Sequence, residues 1–205
     1  MSVYKVNEVF SDLELEILYE LINSIVIPIN QDGSYIYETG SNEEICTVSS
    51  SLGRLQASFM TPPIICDKIF SIGQSIFTQD LVVSGMTYVE YNKKYGTPNL
   101  PPHFDGDASS FIVNYQLSSN TDWDIGVDLK KYNMEDNSAL IFDPNKNIHW
   151  RTHKEFKDNE YVKMIFFRLQ IKGQLPDNSS LRYSLDHEAY KKVNEFRDSL
   201  ISNHL

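Results

Sequence analysis

Between Leu81 and Leu169 the chain is cut into short runs rich in β-branched and aromatic residues, and this patterning limits the fold more than any other feature. The runs are Leu81-Val-Val, Met86-Thr-Tyr-Val-Glu-Tyr, Phe111-Ile-Val-Asn-Tyr-Gln-Leu, Ala139-Leu-Ile-Phe and Tyr161-Val-Lys-Met-Ile-Phe-Phe-Arg-Leu, separated by polar turns. Runs of that length and composition predict strands, and together an antiparallel β core. The flanks read differently. Ser11 is placed to cap a helix carrying Leu13, Leu15, Ile17, Leu18, Leu21 and Ile22 at three-and-four spacing, with Asp12, Glu14 and Glu16 beside its positive end. A second helix follows Pro62-Pro63, over Ile64 to Phe77. The stretch from Ile27 to about Glu44, broken by Pro28, Gly33 and Gly40, suggests short strands or a loop, and Asp186 to about Asn203 is again helical in composition. The expected organisation is one domain over 1–205: a helical N-terminal region 1–80, a β core 81–175 and a C-terminal helix 186–203 packed on the sheet from outside.

Charge and cysteine usage narrow the function classes. With 28 acidic and 18 basic residues the formal charge is −10, which repels phosphate backbones and anionic membranes, and the pairs Lys93-Lys94, Lys130-Lys131 and Lys191-Lys192 are too isolated to form a basic patch. Nucleic acid and membrane surfaces are therefore not expected partners. Cys46 and Cys66 form no close pair and have no histidines at zinc spacing, so they read as free thiols of a reducing compartment. No stretch reaches the about 18 apolar residues of a membrane span, and the default is a cytoplasmic protein of undefined oligomeric state.

Two segments carry chemistry: Leu100-Pro-Pro-His103-Phe-Asp105-Gly-Asp107 and Ile141-Phe-Asp-Pro-Asn-Lys-Asn-Ile-His149-Trp-Arg151. In an extended chain residues i and i+2 share a face, so His103 and Asp105 can hold one ion together, with His149 reaching it from a facing strand. Two imidazoles and one carboxylate leave adjacent coordination positions open, the arrangement of non-haem Fe(II) oxygenases. A competing zinc reading of His149-Trp-Arg-Thr-His153 as a helix lacks the Glu that would activate water, because Trp150 stands there. His153 and Asp107 are the reserve ligands, and His187 and His204 read as surface residues.

The stretch Val89-Glu-Tyr91-Asn-Lys-Lys-Tyr95-Gly-Thr-Pro-Asn-Leu-Pro-Pro-His103-Phe-Asp105, with Ala139-Leu-Ile-Phe-Asp-Pro ahead of Ile148-His149-Trp-Arg, resembles the Fe(II)/2-oxoglutarate-dependent oxygenases, in particular their prolyl 4-hydroxylase-like branch. The resemblance covers about residues 81–172. It implies a double-stranded β-helix (jelly-roll) core with flanking helices, and Fe(II) held by His103, Asp105 and His149. It further implies 2-oxoglutarate as co-substrate, O₂, ascorbate as a candidate reductant, and hydroxylation of a peptidyl or prolyl side chain or a small molecule. The chain departs from the branch at Asp122-Trp-Asp-Ile-Gly126, where relatives often carry a Gly-Gly pair ahead of a strand. The same residues would also suit a module that keeps barrel and metal but not the chemistry.

The family anchors the distal carboxylate of 2-oxoglutarate on a cation from the strand after the distal His. Lys163 is the first choice here, Arg168 the second because it lies five positions on, and Arg151, two past His149, the third. If the resemblance sets the register, Asn114 and Gln116 look into the barrel and can bond the co-substrate. Tyr91 and Tyr95 are further pocket candidates, with Trp123 and Trp150 as packing. The loops 28–45, 96–102 and 118–137, which would select a substrate, carry no readable motif.

Overall fold

A computed structural model describes residues 2–27, 46–49, 52–105, 110–173 and 187–202. Its elements run β1 (Tyr4–Asn7), α1 (Asp12–Asn23), β2 (Cys46–Ser49), β3 (Arg54–Phe59), α2 (Pro63–Ile76), β4 (Leu81–Asn92), β5 (Phe111–Ser119), β6 (Ile125–Val127), β7 (Lys130–Tyr132), β8 (Ser138–Phe142), β9 (His149–Arg151), β10 (Tyr161–Ile171) and α3 (His187–Ser202). A seven-stranded sheet has the order β1-β8-β5-β10-β4-β3-β2, and a three-stranded sheet the order β7-β6-β9, every pairing antiparallel. An isolated bridge between His103 and His149 adds a fourth rung to the smaller sheet. From β4 onward the chain passes back and forth between the two sheets, and only β6 and β7 pair with their neighbour in sequence. That path is the double-stranded β-helix.

Alternation assigns the two faces of the large sheet. Met86, Tyr88, Val113, Tyr115, Ala139, Ile141, Ile165, Phe167 and Leu169 point to one side, where Leu18, Ile22, Ile65 and Ile69 of the helices cover them. Val89, Tyr91, Ile112, Leu140, Phe142, Val162 and Met164 point to the other, toward the small sheet. Because both faces are covered, every residue of β8 is buried, and β5 buries Asn114 and Gln116 along with its apolar residues. The helices form for local reasons. Ser11 and Glu14 complete a capping box, with the Glu14 carboxylate accepting from the Ser11 amide at 2.7 Å, and Pro63 opens α2.

The N-terminal region is not simply helical, as expected. It also supplies β1, β2 and β3, which widen the large sheet at both edges. Runs of four to six residues such as Cys-Thr-Val-Ser give too short a pattern to be read as strands. Most of the stretch expected as loop or short strands, 28–45, lies outside the described residues. Gly126 also differs from expectation. It sits within β6, opposite Trp150, and a Cβ there would come within 2.1 Å of the Trp150 ring. Its bare backbone is the seat of an indole, and its role is packing within a strand, not a turn.

Candidate metal centre

His103 lies on the extended segment after β4, and His149 opens β9. The two residues exchange backbone hydrogen bonds, His103 N–H to His149 O at 3.1 Å and His149 N–H to His103 O at 3.0 Å. Such a mutual pair sets the two side chains directly opposite one another, and the ring centroids are 4.3 Å apart. Asp105, two residues on, has its amide held by the Pro144 carbonyl at 3.1 Å, so its carboxylate returns to the same face. Asp105 Oδ1 lies 3.0 Å from His149 Nε2 and 3.4 Å from His103 Nε2. One ligand atom from each of the three residues falls within 4.8 Å of the others.

The rings are oriented for coordination. His103 Nδ1 lies 2.7 Å from the Pro101 carbonyl and His149 Nδ1 lies 3.2 Å from the Asn147 carbonyl. A carbonyl only accepts, so each Nδ1 carries a proton, and each Nε2, which faces Asp105, is the atom the ring can offer to an ion. The Phe142 ring backs His149 at 5.2 Å. Burial works against a charged His103, but the Asp105 hydrogen bond and charge outweigh it and raise its pKa above the usual imidazole value. Burial likewise opposes ionisation of Asp105, and its hydrogen bonds to His103 and His149 overcome this and hold its carboxyl well below the usual range. An ionised carboxylate between two imidazoles, with two Nε2 atoms converging on it, is the donor set of a 2-His-1-carboxylate site, and these residues fit a divalent metal.

Of the three candidate anchors, Arg151 is the one behind this triad. Two residues past His149 on β9, it points into the barrel and is 7 % exposed. Its Nη1 donates to the Trp123 carbonyl, its Nη2 to Met164 Sδ at 3.0 Å, and its guanidinium lies over the Trp123 ring at 4.4 Å. All of these partners are neutral, and among the described residues it forms no ion pair. Burial pushes its pKa down to about 10 despite the nearby Tyr91 and Asp124. A buried cation with only a carbonyl, a thioether and a ring is expensive to hold, and an incoming carboxylate would repay that cost.

Lys163 lies elsewhere. It pairs across β4 with Glu90, on the opposite face of the sheet from Val162 and Met164, and its ammonium rests over the Tyr161 ring at 5.3 Å. The parity of β10, which the sequence leaves open by one residue, thus turns it away from the triad. Arg168 does face the barrel, half-buried with its guanidinium over Gly85, but four residues along β10 from Met164, about 13 Å in an extended strand. Asn114 and Gln116 share the barrel face with Ile112. Gln116 donates to the Met134 carbonyl at 2.8 Å, whereas the buried Asn114 Oδ1 has no hydrogen-bond partner. Tyr91 is buried on this face, edge-on to Trp123 at 4.9 Å, but Tyr95 belongs to the core under the helices. His153 is exposed and four residues down the chain from His149, outside any helix. Asp107 and His204 lie outside the described residues.

A further residue of the site escaped the sequence reading. Arg54 of β3 donates from Nη1 to Tyr91 Oη at 3.0 Å and stands over the Phe166 ring at 5.6 Å, close enough for its charge to oppose protonation of His103. Nothing in the stretch Ser51-Leu-Gly-Arg54-Leu-Gln marks it. The turn before it is fixed by Gly53, at φ +59°, whose Cα packs so tightly against Thr97 and Pro98 that a Cβ would clash. This contact ties the start of β3 to the loop leading to His103.

The sequence matches no protein-family model and no curated protein. Solved structures do share the fold. HygX from Streptomyces hygroscopicus with nickel, 2-oxoglutarate and hygromycin B bound superimposes with a TM-score of 0.59 at 8% identity, over 85% of this chain and 84% of that one. The same protein with nickel and 2-oxoglutarate gives 0.57 at 8% identity over the same shares. A 2OG-Fe(II) oxygenase family oxidoreductase from Burkholderia pseudomallei gives 0.52 at 9% identity, over 86% of this chain and 87% of that one. The chain thus has the β-helix fold of 2-oxoglutarate/Fe(II) oxygenases, with a His-Asp-His cluster inside it.

Proposed function

We propose that this chain is an Fe(II)- and 2-oxoglutarate-dependent oxygenase that hydroxylates a small molecule or a peptidyl side chain. The observation that carries this reading is the convergence of His103 Nε2, Asp105 Oδ1 and His149 Nε2, with each Nδ1 held by a backbone carbonyl. Likeness of fold to HygX and to the Burkholderia oxidoreductase supports it. With Fe(II) and 2-oxoglutarate bound, such a centre supplies from O₂ an oxidant able to hydroxylate a C–H bond, releasing succinate and CO₂.

The chain's own residues do the holding and orienting. His103, Asp105 and His149 would hold the ion, and the carbonyls of Pro101 and Asn147 stop the rings from turning. Arg151 receives the distal carboxylate of the co-substrate in place of the sulfur and carbonyl that now share its donors. The unpartnered Asn114 Oδ1 faces the same interior, where a ligand or a water can satisfy it. Tyr91, Trp123, Phe156 and Met164 wall this end of the barrel and keep bulk water from the guanidinium.

The test is anaerobic binding followed by turnover. The purified chain should take up one Fe(II), bind 2-oxoglutarate only with the metal present, and release succinate when O₂ and ascorbate are admitted. Tight metal binding without succinate release would favour the alternative of a barrel that retains a metal for a binding or structural role.

A further inference from the structure

Arg54 is a cation at the metal centre with donors to spare. A guanidinium offers five N–H donors. Nε and Nη2 both donate to Gln56 Oε1, at 3.3 and 3.2 Å, and Nη1 donates to Tyr91 Oη at 3.0 Å. Two donors, one on each terminal nitrogen, remain uncommitted among the described residues. All three bonds go to neutral oxygens, and among the described residues no carboxylate lies within ion-pair distance. The Tyr91 and Phe166 rings, 6.0 and 5.6 Å from its Cζ, hold the planar group in place. Its anchoring partners therefore leave one donor on each terminal nitrogen for a carboxylate.

Its position says which anion it can serve. Arg54 enters from β3, at the margin of the large sheet, and is half-buried where Arg151 is enclosed. Phe166, beneath it, packs against both the Tyr91–Trp123 cluster and the Phe142 cluster that backs His149, so Arg54 lies on the same side of the large sheet as the triad. Charge accounting agrees. On the oxygenase reading, a divalent metal and a dianionic co-substrate meet the Asp105 carboxylate and the Arg151 guanidinium, and those charges cancel. Arg54 is then a surplus positive charge beside a neutral centre, in a protein whose formal charge is −10.

We propose that Arg54 is a specificity-determining residue that binds a carboxylate or similar monoanionic group of the substrate to be hydroxylated, so that the substrate class is an acid and not its amide or ester. This rests on the oxygenase reading and deepens it. Gln56 and Tyr91 are positioning residues for the fork, and Arg168, also on the barrel face, has contacts of its own.

The experiment uses the full chain, anaerobic, loaded with Mn(II) and saturated with 2-oxoglutarate. The probes are N-acetyl amino acids as free acids and as primary amides. The readout is the relaxation of the acetyl methyl signal by Mn(II), which reports binding close to the metal without turnover. The wild type should bind acids about tenfold better than the matched amides, the scale of a charge-assisted paired contact. Arg54→Gln should abolish that preference while leaving metal stoichiometry, the melting temperature and 2-oxoglutarate affinity within about twofold. Arg54→Lys, which keeps the charge and loses the fork, should restore part of it. Equal binding of acids and amides by the wild type overturns the inference, as does an acid preference that survives Arg54→Gln. A tenfold loss of 2-oxoglutarate affinity in Arg54→Gln overturns it too, since the fork would then belong to the co-substrate. Failure of the wild type to bind Mn(II) or 2-oxoglutarate removes the oxygenase reading itself, a result separable from all of these.

Discussion

A single parity separates two of the candidate cations. Lys163 and Met164 are neighbours on β10, yet only the second reaches Arg151. Arg151→Met should therefore weaken 2-oxoglutarate binding by at least about tenfold with metal affinity retained, the loss expected for a charge-assisted pair, whereas Lys163→Ala should change neither. Calorimetric titration of the Mn(II)-loaded chain distinguishes the two, and the reverse ranking would return the role to Lys163. His103→Ala and Asp105→Ala should each abolish stoichiometric metal binding, measured by metal analysis after gel filtration. Acidity should act on the same atoms. A proton and a metal compete for His103 Nε2, and Asp105 raises the pKa of that imidazole, so metal affinity should begin to fall at a pH above the ordinary histidine value of 6.5. The triad was legible in the sequence because His-x-Asp needs only an extended backbone to share a face. The facing of Lys163 was not, because choosing between adjacent residues of a strand buried on both sides requires its register. Arg54 was legible at no level, since it joins the site from a strand outside the stretch that resembles the family.

At the scale of elements, the small sheet is held in register by a close fit between a glycine and an indole. Trp150, between the ligand His149 and Arg151, lies across Gly126 and donates from its indole to the Asp128 carbonyl at 3.2 Å. Gly126→Ala places a methyl group inside that ring's space and should destabilise the protein by about 1–3 kcal/mol, the usual cost of overpacking. Because β9 must move to relieve it, metal affinity should fall along with the melting temperature. A melting temperature unchanged within a degree would mean that the indole has room to turn. The long central strands were readable because each carries a run of apolar residues that both faces can bury, and α1 because Ser11 and Glu14 announce its start. The short strands β1, β2 and β3 were not, because four to six residues gain their stability from a neighbouring edge and carry almost no pattern of their own.

Across the whole molecule, a metal held by the proposed ligands would do the work of a cross-link. His103 and Asp105 lie ahead of β5 and His149 beyond β8, so an ion bound by all three closes a loop that spans both sheets of the β-helix. The folded chain brings these side chains together and the unfolded chain does not, so metal binding should stabilise the fold by mass action. At a free metal concentration a hundredfold above the dissociation constant, the gain is about 2.7 kcal/mol. For a chain of this size each kcal/mol moves the midpoint by about 2–4 °C, which predicts a rise of about 5–10 °C. Thermal unfolding with Mn(II) and with a chelator measures it. The shift should vanish in Asp105→Ala, and 2-oxoglutarate should add to it only when metal is present. A shift of equal size in Asp105→Ala would mean that the ion binds elsewhere on this acidic chain, and that the convergence of the three ligands is not what holds it.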